Sequence, residues 1–386
     1  MSDRLYKQSI TVEFEYPVVF ARNVFDPASP TLAGVMHATE SNRHARAVVF
    51  VDSGVSACHP GLADRVGEYF SAHGKQIDLA EAPREVPGGE AIKTDLTFVR
   101  DAIDLFVDLE LCRHSYVIAI GGGAVLDAVG FAASLFHRGL RLIRLPTTVL
   151  AQNDVGVGVK NAMNLSGAKN TVGTFSPPWA VINDFSFLPT LSDEHWINGA
   201  AEAFKVAIIR DASFFDSLCT NATRLKAREQ EPMEQLIVRC AELHLEHIRT
   251  SGDPFEFGRA RPLDFGHWSA HRLEAMSDYR ISHGQAVATG IALDSCYALR
   301  QGWLSEKEFQ RICCGLKDCG FALWRPELEK QGLDGRLEVL KGLESFRQHL
   351  GGQLYLTFPR GIGRRMEIGE VDEALIAECA EQLKGL

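Results

Sequence analysis

The stretch Tyr116-Val117-Ile118-Ala119-Ile120-Gly121-Gly122-Gly123, running on into an Ala-rich segment that ends near Phe136, decides the fold class. Five apolar residues in a row, entered through Ser115, read as a strand buried on both faces. Three glycines then turn the chain into a helix. That turn gathers backbone N–H groups and a helix N-terminus at one point, which suits a pyrophosphate. The spacing is not G-x-G-x-x-G, and a tight turn needing positive φ would call for the same glycines. Asp127 lies one turn into the helix, where an acid could meet a ribose. Asp52, at the end of an earlier strand, is the other candidate for ribose hydroxyls.

Outward from this unit the pattern repeats. Ala45 to Val51 is a second buried strand, ending at Asp52-Ser53-Gly54. A helix over Pro60–Gly74, a short strand over Gln76–Leu79, a turn at Pro87-Gly88-Gly89-Glu90 and an amphipathic helix over Ile92–Leu109 follow. Leu140 to Leu145 is a further strand, broken by Pro146-Thr147-Thr148. Ile10 to Phe20 alternates apolar and polar residues and reads as an early strand or hairpin. Strands alternating with helices imply a parallel sheet of βαβ units. Beyond Leu188-Pro189 the period changes to that of helices, over 194–209, 213–225, 232–249, 268–276, 284–301 and 306–314. Only 353–358 alternates like a strand. The expected architecture is an α/β Rossmann-like domain over 1–186, followed by a mostly α-helical domain over 187–386.

With 386 residues, 46% hydrophobic and 23% charged, the chain has the balance of a globular protein large enough for two cores. A net charge of −10 without a dense Lys/Arg run argues against nucleic acid or an anionic membrane as the main partner. No apolar run approaches the roughly 20 residues of a membrane span, and the N-terminus lacks the apolar core of a signal peptide. Nine dispersed cysteines without CxxC pairs suit a cytoplasmic enzyme with reduced thiols.

Three constellations offer chemistry. The segment from Pro146 through Asp154 to Lys160, with Asn164 and Lys169-Asn170, reads as a long polar loop able to hold phosphate and polyol groups. Glu202 sits among small residues in Gly199-Ala200-Ala201-Glu202-Ala203-Phe204-Lys205, with Lys205 one turn away. His267 and His271 share one helical face, and His283 follows before a second apolar run. A Glu and two of these imidazoles would make a three-ligand zinc site with an open, catalytic position. His244 and His247, on either side of Glu246, read as surface or pocket residues.

Taken in order, these segments resemble the dehydroquinate synthase-like sugar phosphate cyclases. The resemblance rests on Gly121-Gly122-Gly123-(x)3-Asp127-(x)2-Gly130-Phe131, Arg138-Gly139, Pro146-Thr147-Thr148-(x)2-Ala151 and Asp154-(x)5-Lys160. It continues through Lys169-Asn170, Ala201-Glu202-(x)2-Lys205, Phe265-Gly266-His267-(x)3-His271 and His283-Gly284. It implies a homodimer and a catalytic Zn²⁺ (or Co²⁺) held by Glu202, His267 and His283, with His271 turned to substrate. It implies NAD held by Asp52, Glu90, Lys93, Gly122, Gly123, Asp127, Thr147, Thr148 and Lys169. Asp154, Lys160, Asn170, Lys205, Asp264 and His271 would meet a sugar phosphate, with Glu246 orienting hydroxyls. Arg138 would reach the phosphate in the neighbouring subunit's site.

The departures from the family pattern are informative. Dehydroquinate synthases usually carry Asn where this chain has Asp264, and Arg where it has Ala260 between Arg259 and Arg261. A lysine is replaced by Glu246, and an Asp-Glu-x-Glu segment reads Asp253-Pro254-Phe255-Glu256. An Asp-Lys-Lys triplet becomes Phe346-Arg347-Gln348. Cations that a carboxylate substrate needs are gone, and leaving that charge unpaired in a closed site costs several kcal/mol. Gly252 to Glu256 and Ala260 to Trp268 look instead like the sedoheptulose 7-phosphate branch, the 2-epi-5-epi-valiolone synthases and the similar cyclase of ebo operons. That branch implies a phosphate-releasing lyase making a valiolone-type cyclitol by transient NAD oxidation, phosphate elimination, re-reduction and intramolecular aldol closure. Three alternatives stay open: 3-dehydroquinate synthase, an NAD- and metal-dependent alcohol or glycerol dehydrogenase, and a non-catalytic sugar-phosphate scaffold.

Overall fold

The computed structural model describes residues 3–37, 45–165, 168–251, 253, 255, 262–349 and 353–386. Gly252, Pro254, Glu256, Arg259, Ala260 and Arg261 of the branch-specific stretch lie outside them. The first half contains β1 (Val18–Ala21), α1 (Thr31–His37), β2 (Ala45–Asp52), α2 (Ser53–Cys58), α3 (Leu62–Ala72), β3 (Ile77–Leu79), β4 (Arg84–Val86) and α4 (Thr97–Asp108). It continues with β5 (Tyr116–Gly121), α5 (Gly123–Leu135), β6 (Arg141–Pro146), β7 (Lys160–Leu165), β8 (Ala168–Phe175) and β9 (Ala180–Asp184).

Seven strands form one sheet in the order β1-β9-β6-β5-β2-β3, with β4 also pairing β2, and the neighbours are parallel. Period-2 alternation divides β2 and β5 between two cores. Ala47, Val49, Val51, Tyr116, Ile118 and Ile120 pack with α3 on one face, and Val48, Phe50, Val117 and Ala119 pack with α4 and α5 on the other. The strand order reverses between β2 and β5, where Val51 lies opposite Ile120. Crevices at such a switch point, beyond the strand C-termini, are where ligands bind in doubly wound sheets. Asp52 and the three glycines stand there.

The second half is helical: α6 (Asp193–Arg210), α7 (Ala212–Lys226), α8 (Gln230–Thr250), α9 (His267–Met276), α10 (His283–Arg300), α11 (Glu306–Asp318), α12 (Lys341–His349) and α13 (Glu373–Lys384). A small antiparallel pair, β10 (Leu356–Pro359) with β11 (Arg365–Ile368), sits among them. Helices α6 and α10 are buried almost all round, which explains their small residues: an added Cβ at Gly284 would lie 2.3 Å from the Asn198 carbonyl oxygen. Gly266, which precedes α9, takes a left-handed φ of 76° and packs on Ile291. No helix among the described residues is long and apolar enough to cross a membrane.

Two expectations need correction. Residues 3–17 are not in a strand; only Val18–Ala21 pairs, with β9, because the sheet offers one partner edge there and Ile10, Val12 and Phe14 are exposed. The long polar loop is instead a π-helical turn over Ala151–Val155 followed by the β7–β8 hairpin. Its organiser is Arg144, buried at 1% exposure, which donates to the carbonyls of Gly156, Gly158 and Lys160 and to Asn161 Oδ1. Gly130 leaves room for that contact, since a Cβ there would overlap Asn161 Oδ1.

Candidate active site

Glu202 occupies the middle of α6 at 1% exposure, His267 opens α9 and His283 opens α10. Glu202 Oε1 lies 3.0 Å from His283 Nε2 and 3.3 Å from His267 Nε2, so one carboxylate oxygen and two ring nitrogens converge within 4.8 Å of one another. The other ring nitrogens are also engaged. His267 Nδ1 contacts the Phe265 carbonyl at 3.1 Å, and His283 Nδ1 lies 3.2 Å from Glu274 Oε2. Donation from each Nδ1 leaves Nε2 as a lone-pair donor, the arrangement a divalent ion requires. Asp294 of α10 holds this corner by accepting from Gly266 N at 2.9 Å and Trp268 Nε1 at 2.8 Å, on either side of His267. Burial pushes the Asp294 carboxyl up to about 7 despite those two bonds.

Lys205 Nζ stands 2.5 Å from Glu202 Oε2. Lys205 is the ion-pair partner of that oxygen, which has no other hydrogen-bond partner among the described residues. Asp154 completes the group, 2.7 Å from His244 Nδ1. Burial disfavours each charge, yet the charges sustain one another. Lys205 and His244 draw the Asp154 carboxyl down to about 2, while Glu202 and Asp154 hold Lys205 above its ordinary value. Lys205 therefore remains an ammonium at neutral pH, and it also feels the Asp264 carboxylate. These groups line a small cavity with Cys240 and Leu263. His271 faces the same cleft, 5.4 Å from the His267 ring and 6.1 Å from Phe346, centre to centre. Its side chain is exposed, yet desolvation within the cleft, reinforced by His267 and His283, lowers its pKa, so it is neutral at physiological pH.

Without a metal, His283 is an imidazolium. Burial opposes the charge, but Glu202 and Glu274 on its two nitrogens outweigh it and lift the pKa to about 10. A folded pKa raised above 6.5 means that this pairing stabilises the metal-free fold fully below about pH 6.5 and is lost as pH climbs through about 10. An ion taking Nε2 must displace the proton. Zn²⁺ affinity is therefore expected to rise about tenfold per pH unit over roughly pH 6–8, with about one proton released per ion. Titration calorimetry in buffers of different ionisation enthalpy measures this, and a pH-independent affinity would contradict it.

On the sheet side, Gly122 caps α5 and Gly123 begins it, with Thr148 and Val155 across the turn. Thr147 is 2% exposed, and its Oγ1 has no partner among the described residues, an orphaned hydroxyl beside the glycine cradle. Asp52 Oδ1 accepts from Gly54 N at 2.8 Å, and Gly88 approaches it so closely that a Cβ would sit 2.3 Å from the same oxygen. Lys93 Nζ is buried between Asp127 Oδ2 at 2.7 Å and Asn170 Oδ1 at 2.5 Å. Asp127, expected at the dinucleotide, and Asn170, expected at the substrate, thus both bond Lys93, itself expected at the dinucleotide. Lys169 Nζ lies 3.3 Å from Glu274 and 3.7 Å from Glu90, whose other oxygen accepts from Asn164 at 3.1 Å.

Of the remaining residues, Lys160 is exposed at the start of β7, and Arg138 is exposed in the turn after α5 with φ 66°. Glu246, expected to orient hydroxyls, is exposed on α8, while His244, two residues earlier and turned about 200° away, points at Asp154. Sequence reasoning missed Glu274 and Asp294, while His244, read as a surface or pocket residue, lines the pocket. The seven-residue spacing from His267 to Glu274, two helical turns, is the one signal that could have found the first.

Family models describe residues 84–198 as the N-terminal part and residues 199–341 as the C-terminal part of 3-dehydroquinate synthase. The chain is 33% identical over 341 residues to the 2-epi-valiolone synthase of Actinosynnema mirum, covering 88% of this chain and 86% of that one. It is 34% identical over 287 residues to the 3-dehydroquinate synthase of Alkaliphilus metalliredigens, covering 72% and 76%. Among solved structures, ValA, a 2-epi-5-epi-valiolone synthase from Streptomyces hygroscopicus subsp. jinggangensis with NAD⁺ and Zn²⁺ bound, superimposes with a TM-score of 0.86 at 27% identity, over 98% of this chain and 99% of that one. With two family halves meeting end to end and relatives matched over most of their length, the chain belongs to the dehydroquinate synthase-like family of sugar phosphate cyclases.

Proposed function

We propose that the protein cyclises sedoheptulose 7-phosphate to a valiolone-type cyclitol with release of phosphate, using NAD and Zn²⁺ or Co²⁺. The observation that carries the substrate is the charge around Lys205. To Asp154 and Glu202, which belong to the family pattern, this chain adds the Asp264 carboxylate where an Asn is usual, and Phe346 packs by His271 where the family pattern runs Asp-Lys-Lys. A heptulosonate would bring a further carboxylate into this acidic pocket, whereas the hydroxyls of an uncharged carbon chain can donate to those oxygens. The similarity to two valiolone synthases supports the same reading.

The donor set fits a divalent ion at Glu202, His267 and His283, and the Gly121–Gly123 turn with the Thr147 hydroxyl fits a dinucleotide. When bound, NAD supplies a reversible hydride acceptor and the ion supplies Lewis acidity beside the reacting hydroxyl. The chain's own groups do the rest. Lys205, held protonated, stabilises negative oxygen but cannot act as the base. His271, neutral at physiological pH and too weakly basic there to hold a proton, can accept a hydrogen bond from a sugar hydroxyl. Asp154, ionised and bonded to His244, orients a hydroxyl. Lys160 and, in a cytoplasmic homodimer, Arg138 from the neighbouring subunit would receive the phosphate.

The test is phosphate release from sedoheptulose 7-phosphate, 3-deoxy-arabino-heptulosonate 7-phosphate and glucose 6-phosphate, with products identified by NMR. The heptulose phosphate is expected to react at least about tenfold faster than the other two, a difference of roughly 1.4 kcal/mol in barrier. Faster turnover of the heptulosonate would assign the chain to 3-dehydroquinate synthesis instead. Sustained NADH production from an alcohol would make it a dehydrogenase.

A further inference from the structure

We propose that Glu274 is a positioning residue for His283, and that through Lys169 it couples dinucleotide binding to metal binding. The proposal rests on the assignment of NAD and the ion given above. Glu274 is 4% exposed on α9, with one oxygen 3.2 Å from His283 Nδ1 and the other 3.3 Å from Lys169 Nζ. Lys169 belongs to β8 and also reaches Glu90, in the 3₁₀ turn Gly89–Lys93 that ends at the Lys93–Asp127 pair of α5. The hairpin is held at a second point by Asn164, which donates to Glu90 at 3.1 Å and accepts from Asn170 N at 2.8 Å. One ammonium thus bridges a carboxylate beside the nucleotide crevice and a carboxylate behind a metal-facing imidazole.

A carboxylate on the far nitrogen fixes the tautomer and the ring plane of a histidine ligand and raises its basicity. Lys169 keeps that carboxylate in place from the opposite side of the cleft. A ligand that immobilises Glu90 leaves Lys169 less freedom, so less order remains to be imposed when the ion arrives. The sign of the coupling is therefore positive, and linkage makes it reciprocal.

The test measures Zn²⁺ affinity by competition with a chromogenic chelator, with and without saturating NAD⁺, on the full-length protein. In the unmodified protein, NAD⁺ is expected to tighten Zn²⁺ about five- to tenfold. Glu274→Gln, which keeps the shape and removes the charge, is expected to weaken Zn²⁺ about 10- to 100-fold. Lys169→Met, a change at a partly exposed hairpin position, is expected to bring the NAD⁺ effect to within about twofold of none. It supplies the coupling result even if Glu274→Gln fails to fold. The two changes combined should be non-additive in Zn²⁺ affinity, whereas a purely structural role for Glu274 would lower the thermal midpoint and leave Zn²⁺ affinity intact. Zn²⁺ affinity unchanged in Glu274→Gln, or an NAD⁺ effect that survives Lys169→Met, overturns the proposal. Failure of the unmodified protein to bind one Zn²⁺ would instead overturn the metal assignment on which it rests.

Discussion

Glu202→Gln is expected to leave the protein without tightly held metal and to reduce phosphate release by at least about 10³-fold, roughly 4 kcal/mol of barrier. Glu202 is the one anionic donor in the trio, and its Oε1 is the point on which both imidazoles converge. An amide keeps the shape but replaces the charge with a weak neutral ligand. The change also removes the nearest counter-charge of Lys205, which is 4% exposed and left to Asp154 and Asp264. Breaking one side of a buried pair costs about 3–5 kcal/mol, so the thermal midpoint should fall as well. Metal content after dialysis, together with a phosphate-release assay, checks both parts. Full metal content with full activity would remove Glu202 from the site.

Gly284→Ala is expected to damage the same site without touching a ligand. Its new Cβ would lie 2.3 Å from Asn198 O, 2.5 Å from Asn198 Cα and 2.7 Å from Asn198 C, all backbone atoms of α6. Ordinary contact begins at 3.4 Å, so α6 and α10 must separate by roughly 1 Å. Those two helices carry Glu202 and His283. Overpacking of this kind costs about 1–3 kcal/mol, and a 1 Å misplacement of reacting groups costs about 10²-fold in rate. Thermal melts with and without Zn²⁺, and kcat, measure the two effects. Gly34→Ala, with nothing within 4 Å of its added Cβ, is the control and should stay within about 1 kcal/mol of the parent.

The two glycine settings show why some of the molecule was legible and some was not. Gly121 to Gly123 announce themselves, because three glycines after a buried strand signal a local turn. Gly284 has ordinary helical geometry, and the reason for it is a neighbouring helix more than eighty residues away in sequence. The β7–β8 hairpin went unread for a similar cause. Its polar residues resemble a loop until Arg144, from β6, satisfies the carbonyls around it. Glu246 and His244 lie two residues apart, and only the rotation of α8 on its core decides that His244 meets Asp154. The residues alone suggested His267 and His271 as a pair on one helical face. It took the family resemblance to set His267 with Glu202 and His283, and the folded chain places those three donors together.

What the sequence by itself determined is the architecture. Continuous apolar runs at β2, β5 and β6 demand cover on both faces, and the change to helical periodicity after Pro189 demands a separate core. These are short-range signals, written in neighbouring residues. Only the tertiary structure decided which polar groups are partners: Lys93 with Asp127 and Asn170, Lys169 with Glu90 and Glu274, and Asp154 with His244. The physical reason is that a buried charge is tolerated only beside another that satisfies it. In this chain the partners come from distant segments, so their pairing appears only when helices and sheet meet.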